Sequence, residues 1–528
     1  MAGINRILFS FLRNQAGLPQ INHQLPYRCC GEHSHHLLVS DNGRRWVKLT
    51  KLVGRIVDKH TGERVEARVQ VRPIEGRFLH PKGAILKVGP GQPFFYSDGE
   101  FEVEVPRGSA RILVERGTEY VPARVTVDVP VRGTVTADIV MERWCDLGEQ
   151  GWHPGNTHIH YDQFERRPDE RLRLDPRVND LRVTAISILK RWDRKYASNK
   201  YPPGVLTEFC SAHHHVECGV ESRHNSQRDS LDEGYGHIML LRLKEVVEPI
   251  SRGYLVDETD PDYPPLCYAC DDAHRQGGIV IWCHNGRGME APVAAALGKL
   301  DAFNLFDPYW TDLEYSLWYA MLNCGLRLTA STGSDWFVCS ANRVYAYTGR
   351  SFRYEDWMEG LQGGRTFITN GPALFVTVDD HMPGDTVVRE PGEELAVSVS
   401  WKSHYGIHRV DIVRNGKVAA FQQFPEGCTE GHFEAGVKAV SDGWIAARLG
   451  STSRDSFLEP IYAHTSPVYI VTGVRSEEER LAAAQFDRAI EQALERVKQR
   501  GRFRNDSQRQ EVLNLFRQGQ AVYRELLD

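Results

Sequence analysis

A chain of 528 residues exceeds what one hydrophobic core ordinarily organises, so several domains are expected. With 41% hydrophobic and 25% charged residues and a net charge of −6, the composition is that of a soluble globular protein without the basic footprint of a nucleic-acid binder. No run approaches the roughly 18 consecutive apolar residues of a membrane span, so neither nucleic acid nor membrane is an expected partner.

Residues 1–45 show no sustained period and read as an N-terminal arm. The apolar stretch Ile7 to Leu12, bounded by Arg6 and Arg13, is shorter than a secretory core, which favours a cytoplasmic location; secretion or a periplasmic location would follow only from a misplaced start codon. Eleven irregularly spaced cysteines fit a reducing compartment, and the lone Cys267-Tyr268-Ala269-Cys270 lacks the second pair of a zinc ribbon. From 46 to 145, segments such as Ala67 to Val71, Phe101 to Val105 and Val125 to Val129 alternate apolar with polar residues, the pattern of half-buried strands in a β-sandwich. Gly54-Arg55-Ile56-Val57-Asp58 with Ser97-Asp98-Gly99-Glu100-Phe101 resembles the transthyretin-like, regulatory domains attached to carboxypeptidases.

Between 146 and 370 the texture becomes alternating strand and helix. Val183 to Leu189 and Gly278 to Trp282 are near-continuous apolar runs, as buried strands should be, and Leu266 to Gln276 is helical. In such units reactive groups gather at the carboxyl ends of strands. His160, His284 and Asp335 all follow predicted strands. Strands return over 371–474 as a second β-sandwich, with Asn415-Gly416 as a hairpin turn. Residues 475–528 form a helical hairpin opened by the Ser476/Glu479 capping box, its charged faces solvated or, alternatively, joining copies in a homo-oligomer.

The most informative segment is Gly155-Asn156-Thr157-His158-Ile159-His160. Imidazoles at i and i+2 of a strand project to one side. With Glu221, His237, His284 and Asp335 they make the nitrogen and carboxylate set suited to zinc, manganese or iron. His213, His214 and His215 precede Glu221 and are weaker candidates, while His153, Asp162 and Asp193 are candidates for orienting the ligands.

These residues carry a resemblance. The His158-x-His160 segment, Gly219-Val220-Glu221, Gly236-His237, Cys283-His284 and Gly333-Ser334-Asp335 occur in the order of the motifs of the PHP superfamily of metallohydrolases. Gly364 to Pro372, Gly443 to Arg448 and Ala463 to Tyr469 are similar to the CehA/McbA group, whose best-known members hydrolyse the carbamate carbaryl. The resemblance spans about residues 150–472. It implies a distorted (β/α)7 barrel flanked by the two sandwiches, and two divalent ions (Zn, Mn or Fe). One ion would take His158, His160, Glu221 and Asp335; the other would take Glu221, His237 and His284, with Glu221 bridging. Leu189-Lys190 and Phe337 stand where the ligands of a third ion would be.

The expected chemistry is hydrolysis of a carboxylic or carbamic ester or an amide in a small molecule by a metal-bound hydroxide. Besides bridging, Glu221 counts among the catalytic groups; Asp335 accepts a proton and Lys190 faces the tetrahedral intermediate, while Arg223 and Arg343 bind an anionic substrate group. A PHP-type phosphoesterase and a non-catalytic carbohydrate- or peptide-binding protein are the alternatives.

Overall fold

The computed structural model describes residues 49–89, 92–189, 196–225, 234–251, 261–283, 288–305 and 315–528. The predicted arm, Lys190, Asp193 and His284 lie outside these residues. The architecture is mixed α/β, rich in strand, with several sheets and a C-terminal helical pair.

The first strands form a four-stranded sheet around Leu49–Asp58 and a five-stranded sheet around Ala67–Pro73. Their alternating residues supply one shared core: Leu52, Ile56, Val69, Val71, Val103, Val105, Ile112 and Ile139 are all essentially inaccessible. The edge of this unit is fastened to the next by charge. Arg143 and Arg116 reach Asp180 at 2.7 and 3.3 Å, and Glu119 accepts a hydrogen bond from Tyr345 at 3.1 Å.

The middle of the chain is built on the strand Trp152–Ile159. It pairs in parallel with Val183–Ile188, which pairs in parallel with His215–His224. Gly236–Leu241 then runs antiparallel to both His215–His224 and Ile279–Trp282, and Ala302–Asn304 and Thr329–Ser331 complete this side. Gly236–Leu241 breaks strict βα repetition, and its reversed direction brings His237 opposite Arg223, at the same end as the other candidates.

Among the described residues these strands do not close into a barrel. Thr329–Ser331 approaches Trp152–Ile159 through the following loop, where Thr157 donates to the Thr332 carbonyl at 2.9 Å. On its other flank Trp152–Ile159 pairs with Arg343–Tyr347, then Thr366–Thr369, then Pro460–Thr465. The ladder therefore runs unbroken from the middle strands into those expected to form a separate second sandwich. The C-terminal strands keep their own core, with Leu374, Val397, Val399, Val410, Ile412 and Ile461 buried together.

The tail folds as its pattern predicts. Ser476 accepts from the Glu479 amide at 3.0 Å to start the helix Glu477–Arg500, and Asn505 caps Asp506–Glu525 in the same way at 3.0 Å. Phe486, Ile490, Leu494, Val512, Phe516 and Tyr523 are buried in the central core. The Tyr523 hydroxyl donates to the Pro292 carbonyl at 2.8 Å. The apolar face is thus covered within the chain.

Candidate metal centre

The strand pleat predicts that His158 and His160 face one way, and they do. Their ring centroids lie 4.9 Å apart and both Nε2 atoms point at the same two carboxylates. His158 Nε2 is 3.4 Å from Glu221 Oε2 and 3.2 Å from Asp335 Oδ1. His160 Nε2 is 3.1 and 3.0 Å from the same atoms.

The four ligand atoms lie within 4.8 Å of one another in a group that could hold a metal ion. A tetrahedral site with bonds of about 2.1 Å has ligand-to-ligand edges of about 3.4 Å. The His–carboxylate separations of 3.0 to 3.4 Å approach that figure, so the donor set fits one divalent ion with little adjustment.

The turn bearing Asp335 is held on the His-x-His strand. Ser334 and Asp335 amides donate to the His158 carbonyl at 2.9 and 2.8 Å, and the His160 amide donates to Trp336 at 2.9 Å. Asn156 accepts from the His158 and Ser334 amides, each at 3.2 Å, joining the two segments. Asp335 itself has φ of 43°, a left-handed conformation uncommon outside glycine and tolerated best by Asn and Asp. Gly333 is required by proximity, because a Cβ there would sit 2.6 Å from the His158 Cβ and 2.8 Å from its backbone nitrogen.

Glu221 presents its two oxygens differently. Oε2 faces His158, His160 and Arg223, whose Nη2 donates to it at 2.7 Å. Oε1 lies 3.5 Å from His237 Nδ1. Burial works to raise the Glu221 pKa, yet the Arg223 guanidinium and the two imidazoles hold its carboxyl well below the usual range. Burial lowers His158 despite the attraction of Asp335 and Glu221. Burial also opposes charge on His160, but there Glu221 and Asp335 prevail and raise it. Without metal, His160 is therefore the better proton acceptor of the two.

The side chains of His158 and Glu221 have no exposure, whereas Asp335 and Arg223 each retain 16%. Access to the cluster is on the Asp335 and Arg223 side. An aromatic wall flanks it: Tyr196 and Phe337 stack at 6.1 Å, and each ring lies within 6 Å of His160.

Of the predicted residues, His158, His160, Glu221 and Asp335 converge, His237 joins them through Glu221, and Arg223 lies at their edge. Lys190 and His284 fall outside the described residues. Arg343 goes elsewhere: it is 1% exposed and donates to the carbonyls of Ser340 and Asn342, each at 2.7 Å, which leaves it a structural role in place of substrate binding. His214 is spent on Phe209 and Ser211, His213 is exposed before the strand begins, and His153 contacts the Gly349 carbonyl at 3.0 Å. Asp162 accepts from the Phe164 amide at 2.8 Å in its own turn.

Sequence reasoning missed Ser187, Asn225 and Arg171. Ser187 Oγ is 2.8 Å from His160 Nδ1, Asn225 Oδ1 is 2.7 Å from His237 Nε2, and Arg171 donates to the His160 carbonyl at 3.4 Å. A hydroxyl inside the buried run Val183 to Leu189 was the available signal, since a buried polar group needs a partner.

The fold and cluster together define a strand-rich α/β protein with a buried histidine and carboxylate site able to hold a metal. No family model and no curated protein matches the chain.

Proposed function

We propose that the chain is a metal-dependent hydrolase of the PHP type, with its strands arranged as a distorted, incompletely closed PHP barrel. The observation that carries this reading is the convergence of His158, His160, Glu221 and Asp335, from three distant segments, at separations matching the edges of a tetrahedral ligand set. His158, His160, Glu221 and Asp335 would hold one divalent ion, and Glu221, His237 and His284 a second. Bound there, such ions supply Lewis acidity and lower the pKa of water to near neutrality.

The chain's own groups divide the remaining work. Asp335, the partly exposed member of the cluster, accepts a proton on the open side. Arg223, also partly exposed, offers fixed positive charge beside that opening, suited to an oxygen that becomes anionic as a carbonyl is attacked. Lys190 is assigned the same task. The aromatic rings of Tyr196 and Phe337 flank His160, and by the resemblance Phe337 replaces a polar ligand of a third ion. That supports two ions and a carboxylic or carbamic ester or amide substrate over a phosphoester.

The test is a panel of aryl esters, carbamates, amides and phosphomonoesters assayed with zinc-, manganese- and iron-reconstituted protein. Ester, carbamate or amide turnover that Glu221→Ala abolishes is the expected result. Turnover confined to phosphomonoesters would replace this reading with the phosphatase one, and no turnover of any class by metal-loaded protein would overturn the enzyme assignment.

A further inference from the structure

Two uncharged side chains stand behind the metal-facing imidazoles. Ser187 is fully buried; its hydroxyl donates to the Ile159 carbonyl at 3.4 Å and lies 2.8 Å from His160 Nδ1. A hydroxyl has one proton to give; donated to Ile159, it leaves the oxygen as an acceptor for a His160 ring that carries its proton on Nδ1, the tautomer that metal binding through Nε2 requires. In that tautomer the lone pair is on Nε2, the atom beside Glu221 and Asp335 that would meet an ion. At His237 the arrangement is reversed. Asn225 Oδ1, an acceptor, lies 2.7 Å from Nε2, which leaves the lone pair on Nδ1, the atom 3.5 Å from Glu221 Oε1. The Cys283 thiol lies 3.6 Å from His158 Nδ1, behind the third ring.

We infer that Ser187 and Asn225 are positioning residues that favour opposite tautomers in His160 and His237 for metal binding, so that each ring would turn a lone pair toward an ion held beside its own oxygen of Glu221. Each residue lies on the side of its ring away from the carboxylate, so the two act on different halves of the cluster. The inference rests on the metal-centre reading, and it assigns both residues to metal affinity and geometry. Outer partners of ligating histidines typically contribute 10- to 100-fold in affinity.

The experiment is competition for zinc between a chromophoric chelator and the full chain, with metal-free thermal unfolding as the control for folding. Ser187→Ala and Asn225→Leu are each expected to weaken zinc binding roughly 10-fold or more. Asn225→Asp, which keeps the acceptor oxygen, is expected to stay near wild type, and Asn225 is only half-buried, so its variants bear little on folding. Nitrogen-15 shifts of metal-free protein should place the His237 proton on Nε2 in wild type and lose that preference in Asn225→Leu. Wild-type zinc binding with both variants within twofold of it would overturn the inference alone. A wild-type chain that binds no zinc would overturn the metal-centre reading and this inference with it.

Discussion

Replacing Gly333 by alanine tests how the cluster is assembled without touching a ligand. The new Cβ would lie 2.6 Å from the His158 Cβ, 2.8 Å from its nitrogen and 3.1 Å from its Cα. Two of these are backbone atoms, so no side-chain rotation relieves the contact. Ordinary van der Waals separation begins at 3.4 Å, so the turn and the strand must part by about 0.8 Å. That movement stretches the Ser334 and Asp335 amide bonds to the His158 carbonyl, now 2.9 and 2.8 Å. Overpacking of this kind costs about 1–3 kcal/mol and each weakened hydrogen bond about 1 kcal/mol. A loss of about 3–5 kcal/mol in metal-free denaturant unfolding is expected. The same movement carries Asp335 away from His158, lengthening a ligand edge that is now 3.2 Å. Zinc affinity, read by chelator competition, should fall by roughly tenfold or more. An alanine variant with wild-type metal affinity would refute the claim that the Gly333 turn sets the Asp335 to His158 spacing.

Metal affinity should also depend on pH, because ligands bind only when unprotonated. His160 is raised above its ordinary value of 6.5, so affinity measured across a pH series should decline as pH falls through that raised value, earlier than for an unperturbed imidazole. In metal-free protein the raised His160 contributes stability that is complete below 6.5 and is lost as pH rises through its folded value; the depressed Glu221 contributes stability present above 4.5 and lost in stronger acid. Arg223→Met should leave zinc bound as tightly or more tightly, since a cation 2.7 Å from Glu221 is removed, while lowering hydrolysis by roughly 100-fold; equal losses of both would deny Arg223 a role distinct from folding. Asp180→Ala strips a shared partner from Arg116 and Arg143 and should cost about 3 kcal/mol in denaturant unfolding without altering metal affinity.

The parts of this structure that were legible in the sequence are those set by short-range periodicity. The i, i+2 rule placed His158 and His160 on one face, the capping box placed the start of the tail helix at Ser476, and alternation marked the strands of the first sheets. Asn415-Gly416 likewise makes its two-residue turn, with Arg414 opposite Lys417. What escaped depends on pairing between distant segments. Lys417–Lys438 is a 22-residue strand that pairs with Glu394–Arg414, yet most of it is exposed, so it carries too little apolar alternation to be seen. The ladder joining Thr366–Thr369 to Pro460–Thr465 is likewise a matter of register between segments far apart in sequence. Arg343 stood beside motif residues and looked available; only the fold shows that backbone carbonyls occupy it. Ser187 and Asn225 are ordinary residues until the rings they support are placed against them.

The central claim is that His158, His160, Glu221 and Asp335 form a divalent-metal centre with Glu221 shared between two ions. Metal analysis of the purified chain, reconstituted with zinc and dialysed, tests it most directly, in parallel with Glu221→Ala. About two equivalents in wild type, with loss of both in the variant, is the predicted result. A wild-type chain that retains no zinc, or a Glu221→Ala variant that retains the wild-type amount, would contradict it.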